Sequence, residues 1–425
     1  MQRLLLISVL SLFGITGHTL DWPRFRGADG SGSADVADMP VTWSASENLR
    51  WRCELPGEGA STPVHRDGRI YLTAYSGYDR QERNLDFDAM RLHILAIDAA
   101  DGSLLWRQDI TPLVPQRHGG KGGTRWHGYA TPTPAVDAER LYVSFGHNGI
   151  FAFDLEGRQL WSCDIGERAD NWGNGASLAL LNDKLVVNAG CESDRLLAID
   201  GASGDIVWEA SGIGRSWSTP VVHRCSNGDD VVLNINGGIA GYRGTDGSRL
   251  WHVSGARDYA TTSPIIIDDL VYSSTRNTHG GTASMAIGIA DCADELLWKN
   301  EALGAVVSSP VLVEGRLYWS AIDGRTHRDL RGIVCVNAQD GSLLWRRGLD
   351  PMPETLYASP LAADGKIYFQ SLYNGTYVVA ADAEFRLLAH NRIESDASAF
   401  NASPVPLSDG RLLLRSDRAL YCIGE

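Results

Sequence analysis

The chain has 425 residues, 44% of them hydrophobic and 21% charged, a balance that supports a large buried core and excludes both a disordered chain and a multi-span membrane protein. The 38 Lys and Arg against 52 Asp and Glu leave a net charge of −14 without any Lys/Arg-rich run. A nucleic-acid backbone or an anionic membrane surface is a poor partner for such a chain.

The first element in chain order is Met1-Gln2-Arg3, followed by an apolar stretch over residues 4–15 and small or polar residues over 17–19. This is the pattern of a secretory signal peptide, too short to span a bilayer. We expect residues 1–19 to be a cleaved signal peptide, 20–44 an N-terminal arm and 45–425 the folded domain, exported to a periplasmic or extracellular space. The first cysteine is Cys53, so no lipid anchor is expected. The seven cysteines contain no C-x-x-C and no adjacent pair; small buried side chains are expected rather than redox or zinc motifs.

From residue 49 onward the sequence repeats itself. A unit opens with Ser/Thr-x-Pro and a short apolar strand, continues through Gly-x-apolar-Tyr and L-A-I-D strands, and closes with D-G-S-L-L-W. The clearest copy runs from Ser61-Thr62-Pro63 through Gly68-Arg69-Ile70-Tyr71 and Leu95-Ala96-Ile97-Asp98 to Asp101-Gly102-Ser103-Leu104-Leu105-Trp106. Further openings carry Pro132, Pro220, Pro264, Pro310, Pro360 and Pro404, and a degenerate one at Gly175-Ala176-Ser177 makes eight. Closing tryptophans stand at 51, 106, 161, 208, 251, 298 and 345, 43 to 55 residues apart, with Leu388 in the eighth place. Such a period holds four short strands and their turns. Proline suits a strand start and D-G a tight turn. A small residue on the third strand recurs as Ala96, Ala152, Ala198, Gly241, Gly288, Cys335, Ala380 and Cys422.

The first closing strand, Leu49-Arg50-Trp51-Arg52, precedes every opening, and the last opening, Ala402-Ser403-Pro404, has no closing tryptophan after it. The two chain ends therefore complete one blade. The expected fold is all-β: an eight-bladed β-propeller of four-stranded antiparallel blades, closed by the N-terminal strand. Seven blades remain the alternative should the degenerate third unit be an insertion.

This repeat resembles that of the pyrroloquinoline-quinone (PQQ) family of β-propellers over nearly all of residues 45–424. The segments Asp21-Trp22-Pro23-Arg24-Phe25-Arg26-Gly27, His127-Gly128-Tyr129-Ala130-Thr131-Pro132 and Phe151-Ala152-Phe153-Asp154-Leu155-Glu156-Gly157 are similar to those of its exported bacterial members. The resemblance implies one of two functions. Quinoprotein dehydrogenases oxidise alcohols or sugars with PQQ and calcium, whereas members of the BamB type assist outer-membrane assembly without catalysis. The chain lacks the adjacent-cysteine pair and the C-x-x-C-H haem motif of the dehydrogenases. The expectation is a non-enzymatic exported binding or scaffold module, BamB-like and monomeric, needing no cofactor, for an envelope protein or a small ligand. A PQQ- and calcium-dependent dehydrogenase is the alternative.

Innermost strands line the channel of a propeller, so residues just before each opening should ring one channel mouth. Tyr129, Trp217 and Tyr357 lie three residues before their prolines, Phe400 four and Tyr259 five, with Trp172 in the comparable place of the degenerate unit. Arg125, Trp126, His127 and Arg215 stand nearby. These ten residues are the candidate site: rigid aromatics with cations that could hold a flat anion or a peptide segment, or else packing that plugs the channel. No metal site is expected. Gly119-Gly120-Lys121-Gly122-Gly123 lacks the context of a phosphate loop, no H-x-x-x-H occurs, and Asp29-x-Ser31-x-Ser33-x-Asp35 lacks the terminal Glu of a calcium loop.

Overall fold

Eight hydroxyls, one from each opening motif, form a closed circle of hydrogen bonds. The amide of Thr62 donates to Thr133 Oγ1 (3.0 Å), Thr133 to Ser177 Oγ (2.9 Å), Ser177 to Thr219 Oγ1 (3.0 Å) and Thr219 to Ser263 Oγ (2.9 Å). Ser263 donates to Ser309 (2.9 Å), Ser309 to Ser359 (3.0 Å), Ser359 to Ser403 (3.1 Å) and Ser403 back to Thr62 (3.3 Å). The circle fixes the blade count at eight, and Ser177 takes part although its unit has lost the proline. The residue immediately before the proline is thus the one that joins blades. It also corrects one register: in the second blade that residue is Thr133 before Pro134, not the motif around Pro132, so Tyr129 lies five residues ahead of its proline, as Tyr259 does.

The computed structural model describes residues 20–79, 84–85, 89–113, 128–225, 228–255, 260–276, 282–290, 294–321, 332–350 and 356–425. Each blade is an antiparallel four-stranded sheet in chain order from channel to rim, as in Val64–Arg66, Arg69–Ser76, Arg91–Asp98 and Leu104–Ile110 of blade 1. Blade 8 takes its outermost strand, Leu49–Glu54, from the other end of the chain, paired antiparallel with Ala419–Ile423.

The closing tryptophans work between blades. Gly102, at the turn of blade 1, has φ +77° and leaves room only for the Trp51 indole, which a Cβ there would meet at 2.5 Å. Gly157 lies likewise on Trp106, Gly204 on Trp161, Gly247 on Trp208 and Gly341 on Trp298. Each indole also donates Nε1 to a carbonyl of the blade it covers: Trp106 to Leu155, Trp161 to Gly201, Trp208 to Gly244 and Trp298 to Ala338, at 2.8–3.0 Å. The D-G turn of one blade and the tryptophan of its predecessor are therefore one contact, which explains why both repeat together.

On the third strand the small residue faces that tryptophan, because a larger side chain would push the indole off its glycine. Ala96, Ala152, Ala198, Gly241, Cys335 and Cys422 hold this place, opposite Trp106, Trp161, Trp208, Trp251, Trp345 and Trp51. Two expected positions are displaced by two residues. Ala286 rather than Gly288 faces Trp298, and in blade 7 Val378 rather than Ala380 faces the tryptophan place, which Ala389 and not Leu388 occupies. The outer strands each carry a bulge next to this pair; its extra residue shifts the register and turns paired apolar side chains outward. Leu104, Leu105, Leu343 and Leu344 are consequently exposed on the blade rims.

The N-terminal arm runs across several blades. Trp22 pairs with His65 of blade 1, Pro23 accepts from the amide of Val136 in blade 2, and Ser33–Ala34 adds a parallel strand to Leu361–Ala363 of blade 7. Arg26 is buried, its guanidinium donating to the carbonyls of Gly30, Ser31, Ser309 and Pro310. Burial lowers the guanidinium pKa of Arg24 to about 10 and of Arg26 to about 9. Trp43 then packs in the apolar cluster shared by blades 7, 8 and 1, against which Ala389 also packs, and stacks on Tyr368 at 6.4 Å, so the arm brings an indole to the interval where the repeat lacks one. Buried Arg415 joins the seam from the other side by donating to Ser61 and to the Thr73 carbonyl.

Candidate functional site

Of the ten residues expected at the channel mouth, Arg125, Trp126, His127 and Tyr259 lie outside the described residues. The other six divide by burial. Tyr129 is 4% exposed and sits edge-on against Tyr75, ring centroids 5.4 Å apart, while the Tyr75 hydroxyl donates to Glu58 Oε2 at 2.8 Å. Phe400 is 8% exposed and stacks on Tyr421 at 6.1 Å, its amide donating to the Leu372 carbonyl. Tyr129 thus packs between blades 1 and 2, and Phe400 within blade 8. Tyr357 is half-buried.

Trp172, Arg215 and Trp217 are brought together across blades 3 and 4. The Trp217 indole donates to the Gly173 carbonyl at 2.8 Å and its amide to that of Ala260 at 2.8 Å, which leaves the ring little freedom. The Arg215 guanidinium lies 5.5 Å from the Trp217 ring centroid, a cation–π contact. Asp170 orients it through two bonds, Nε to Oδ2 at 2.8 Å and Nη2 to Oδ1 at 3.0 Å. The same carboxylate accepts from the amide of Trp172, whose side chain is 41% exposed. The result is a rigid aromatic and guanidinium surface whose cation is already bidentately paired. Asp170 has no mark in sequence; it stands 45 positions from its partner, and only the fold brings them into contact.

A buried acid underlies this loop. Glu192 sits in the helical turn Gly190–Ser193 that follows the second strand of blade 3. It is 4% exposed and accepts from Asn174 Nδ2 at 2.6 Å. Burial, with the Asp170 charge adding to it, pushes its carboxyl up to about 7. Its backbone carbonyl accepts from Arg168, so the 168–174 segment is anchored beneath the exposed Trp172.

A small cleft beside Phe400 is lined among others by Trp43, Tyr373, Asn391 and Asp396. Among the described residues no helix is long and apolar enough to cross a membrane.

A family model described as outer membrane protein assembly factor BamB matches residues 90–328 and 293–420. No curated protein matches the chain. Among solved structures, BamB from Moraxella catarrhalis aligns with a TM-score of 0.60 at 14% identity, covering 87% of this chain and 95% of that one. The quinohemoprotein alcohol dehydrogenase ADHIIG from Pseudomonas putida HK5 aligns with a TM-score of 0.65 at 14% identity, covering 95% of this chain and 80% of that one. The computationally designed Ika8 protein aligns at 0.58 and 13% identity, over 89% of this chain and all of that one, 100%. At these identities the three likenesses speak for the fold alone.

Proposed function

This chain belongs to the PQQ-repeat propeller family of the outer membrane protein assembly factor BamB, and from that membership we propose that it is an exported, non-enzymatic binding module that takes a protein segment at the mouth of its channel. The observation that carries this reading is the Asp170–Arg215–Trp217 group with Trp172 beside it. A flat anion such as a quinone would need an unpaired cation, and Arg215 is already held bidentately by a carboxylate. A peptide instead gains from rigid aromatic area that loses little entropy on binding, flanked by polar groups already in place.

The dehydrogenase reading, which calls for PQQ over a calcium ion, is the alternative. Calcium takes six to eight oxygen ligands, whereas the one group of potential metal ligands found among the described residues is His223, Cys225 and Asp230, with sulfur and nitrogen donors. No step through PQQ follows from these residues.

The test is retention of envelope proteins on the immobilised chain, compared with a Trp217→Ala/Tyr357→Ala double variant of unchanged melting temperature. The native chain should hold a defined partner that the double variant loses. Undiminished retention moves the binding surface elsewhere, with the exposed leucines of the blade rims next in line. Sustained alcohol or sugar oxidation after adding PQQ and Ca²⁺ would refute the non-enzymatic reading.

A further inference from the structure

We propose that His223, Cys225 and Asp230 of blade 4 form a binding site for a thiophilic divalent cation of the zinc class. His223 ends the innermost strand Val221–His223, and Cys225 follows two residues later. Asp230 opens the next strand, Asp230–Ile235, and is the direct register partner of His223 across the antiparallel pair. One imidazole nitrogen, one sulfur and one carboxylate oxygen thus lie within 4.8 Å of one another.

The separations suit a tetrahedral ion. Cys225 Sγ stands 3.7 Å from Asp230 Oδ2 and 2.9 Å from His223 Nδ1. Zinc holds sulfur at about 2.3 Å and nitrogen or oxygen at about 2.0–2.2 Å, which in a tetrahedron sets the ligands roughly 3.5 Å apart. The sulfur and the carboxylate already have that spacing, and the thiol and the ring need to part by only about 0.6 Å.

A second observation points the same way. The other ring nitrogen, His223 Nε2, lies 3.1 Å from Asp269 Oδ1 of blade 5. A carboxylate on the far side of the imidazole fixes the ring and its tautomer, leaving Nδ1 as the donor to the metal. Arg224, between the two ligands in sequence, is paired with Asp229, which also accepts from Asn182, so its charge is compensated. His223 and Asp230 are each 5% exposed and Cys225 is half-buried. Among the described residues the site has three donors, and the fourth position of a tetrahedral ion takes a further ligand. A set of thiolate, imidazole and carboxylate selects zinc or another thiophilic ion over calcium and magnesium.

The purified, reduced chain titrated with Zn²⁺ should show saturable binding of one equivalent. Co²⁺ in its place should give the near-ultraviolet absorption of thiolate-to-cobalt charge transfer. Cys225→Ser should abolish that absorption, Cys163→Ser should keep it, and Asp269→Ala should weaken affinity about tenfold. Should Cys225→Ser fold poorly, protection decides: Zn²⁺ must slow alkylation of Cys225 in the native chain, read by peptide mass mapping, and leave Cys163 unaffected. Absence of saturable uptake, cobalt absorption that survives Cys225→Ser, or equal alkylation of Cys225 with and without zinc each overturns the assignment. None of these readouts depends on the channel mouth.

Discussion

Removing one hydroxyl from the circle that joins the blades should weaken the whole ring. Ser309 is 2% exposed and its Oγ accepts the Ser263 amide at 2.9 Å. Ser309→Ala deletes that acceptor without opening a cavity of consequence, since one oxygen is lost. The Ser263 N–H, at a residue 3% exposed, then has neither water nor hydroxyl to meet. A buried donor left without its partner costs about 1–3 kcal/mol, and the neighbouring amide bond from Ser309 to Ser359 persists because it uses the backbone. Ser309→Thr is the control. It keeps the acceptor, and Thr62, Thr133 and Thr219 fill the same place in other blades. Urea unfolding followed by tryptophan fluorescence reads both. Ser309→Ala should lose about 1–3 kcal/mol and Ser309→Thr less than about 1 kcal/mol. If the alanine variant unfolds at the native urea midpoint, or both variants lose equally, the hydroxyl circle is not what couples the blades.

Other outcomes follow from the same geometry. Gly341→Ala places a Cβ 2.4 Å from the Trp298 ring at φ +69°, whereas Gly315→Ala meets nothing at φ +73°; calorimetry should find the first markedly more destabilising, the second costing about 1–2 kcal/mol in backbone strain alone. Trp51→Ala removes the indole that lies on Gly102 and donates to Ala99 at 3.3 Å, so the seam should weaken by roughly 3 kcal/mol, and an unchanged melting temperature would contradict closure through this strand. Glu192 carries a carboxyl raised from 4.5 to about 7. The folded chain therefore keeps a proton that the unfolded chain releases, and the stability this group lends is fully present below about pH 4.5 and declines as pH rises to about 7. Glu192→Gln should flatten the melting temperature across that window and raise it at pH 8; a fall at pH 8 would show that the carboxylate itself is needed.

Blade number, strand count and closure were legible in the residues because each repeats under a local constraint. Proline opens strands, glycine after aspartate makes a left-handed turn, and a tryptophan every 43 to 55 residues must cover something of matching period. Pro132 against Pro134, Leu388 against Ala389 and Gly288 against Ala286 were misplaced by one or two residues. Doubled motifs look alike in one dimension, and a bulge is visible only once two strands pair. The arm was legible as an extra segment, but not as carrying buried Arg24 and Arg26, since charged residues are buried only where a fold supplies carbonyls for them.

The candidate site depended most on the third dimension. Aromatic residues before each opening are plain in the sequence, yet whether a ring faces the channel or packs on a neighbouring strand depends on a partner such as Tyr75 or Tyr421, which no spacing announces. Asp170 on Arg215, and Asp230 across from His223, are contacts made by loop closure and strand register. The sequence by itself determined the repeating architecture, because local turn and packing rules act within each unit. Only the tertiary structure decided which polar groups meet, because partners such as Asp170 with Arg215 and His223 with Asp269 lie in different blades, 45 and 46 positions apart, and only the packing of adjacent blades sets the distance between them.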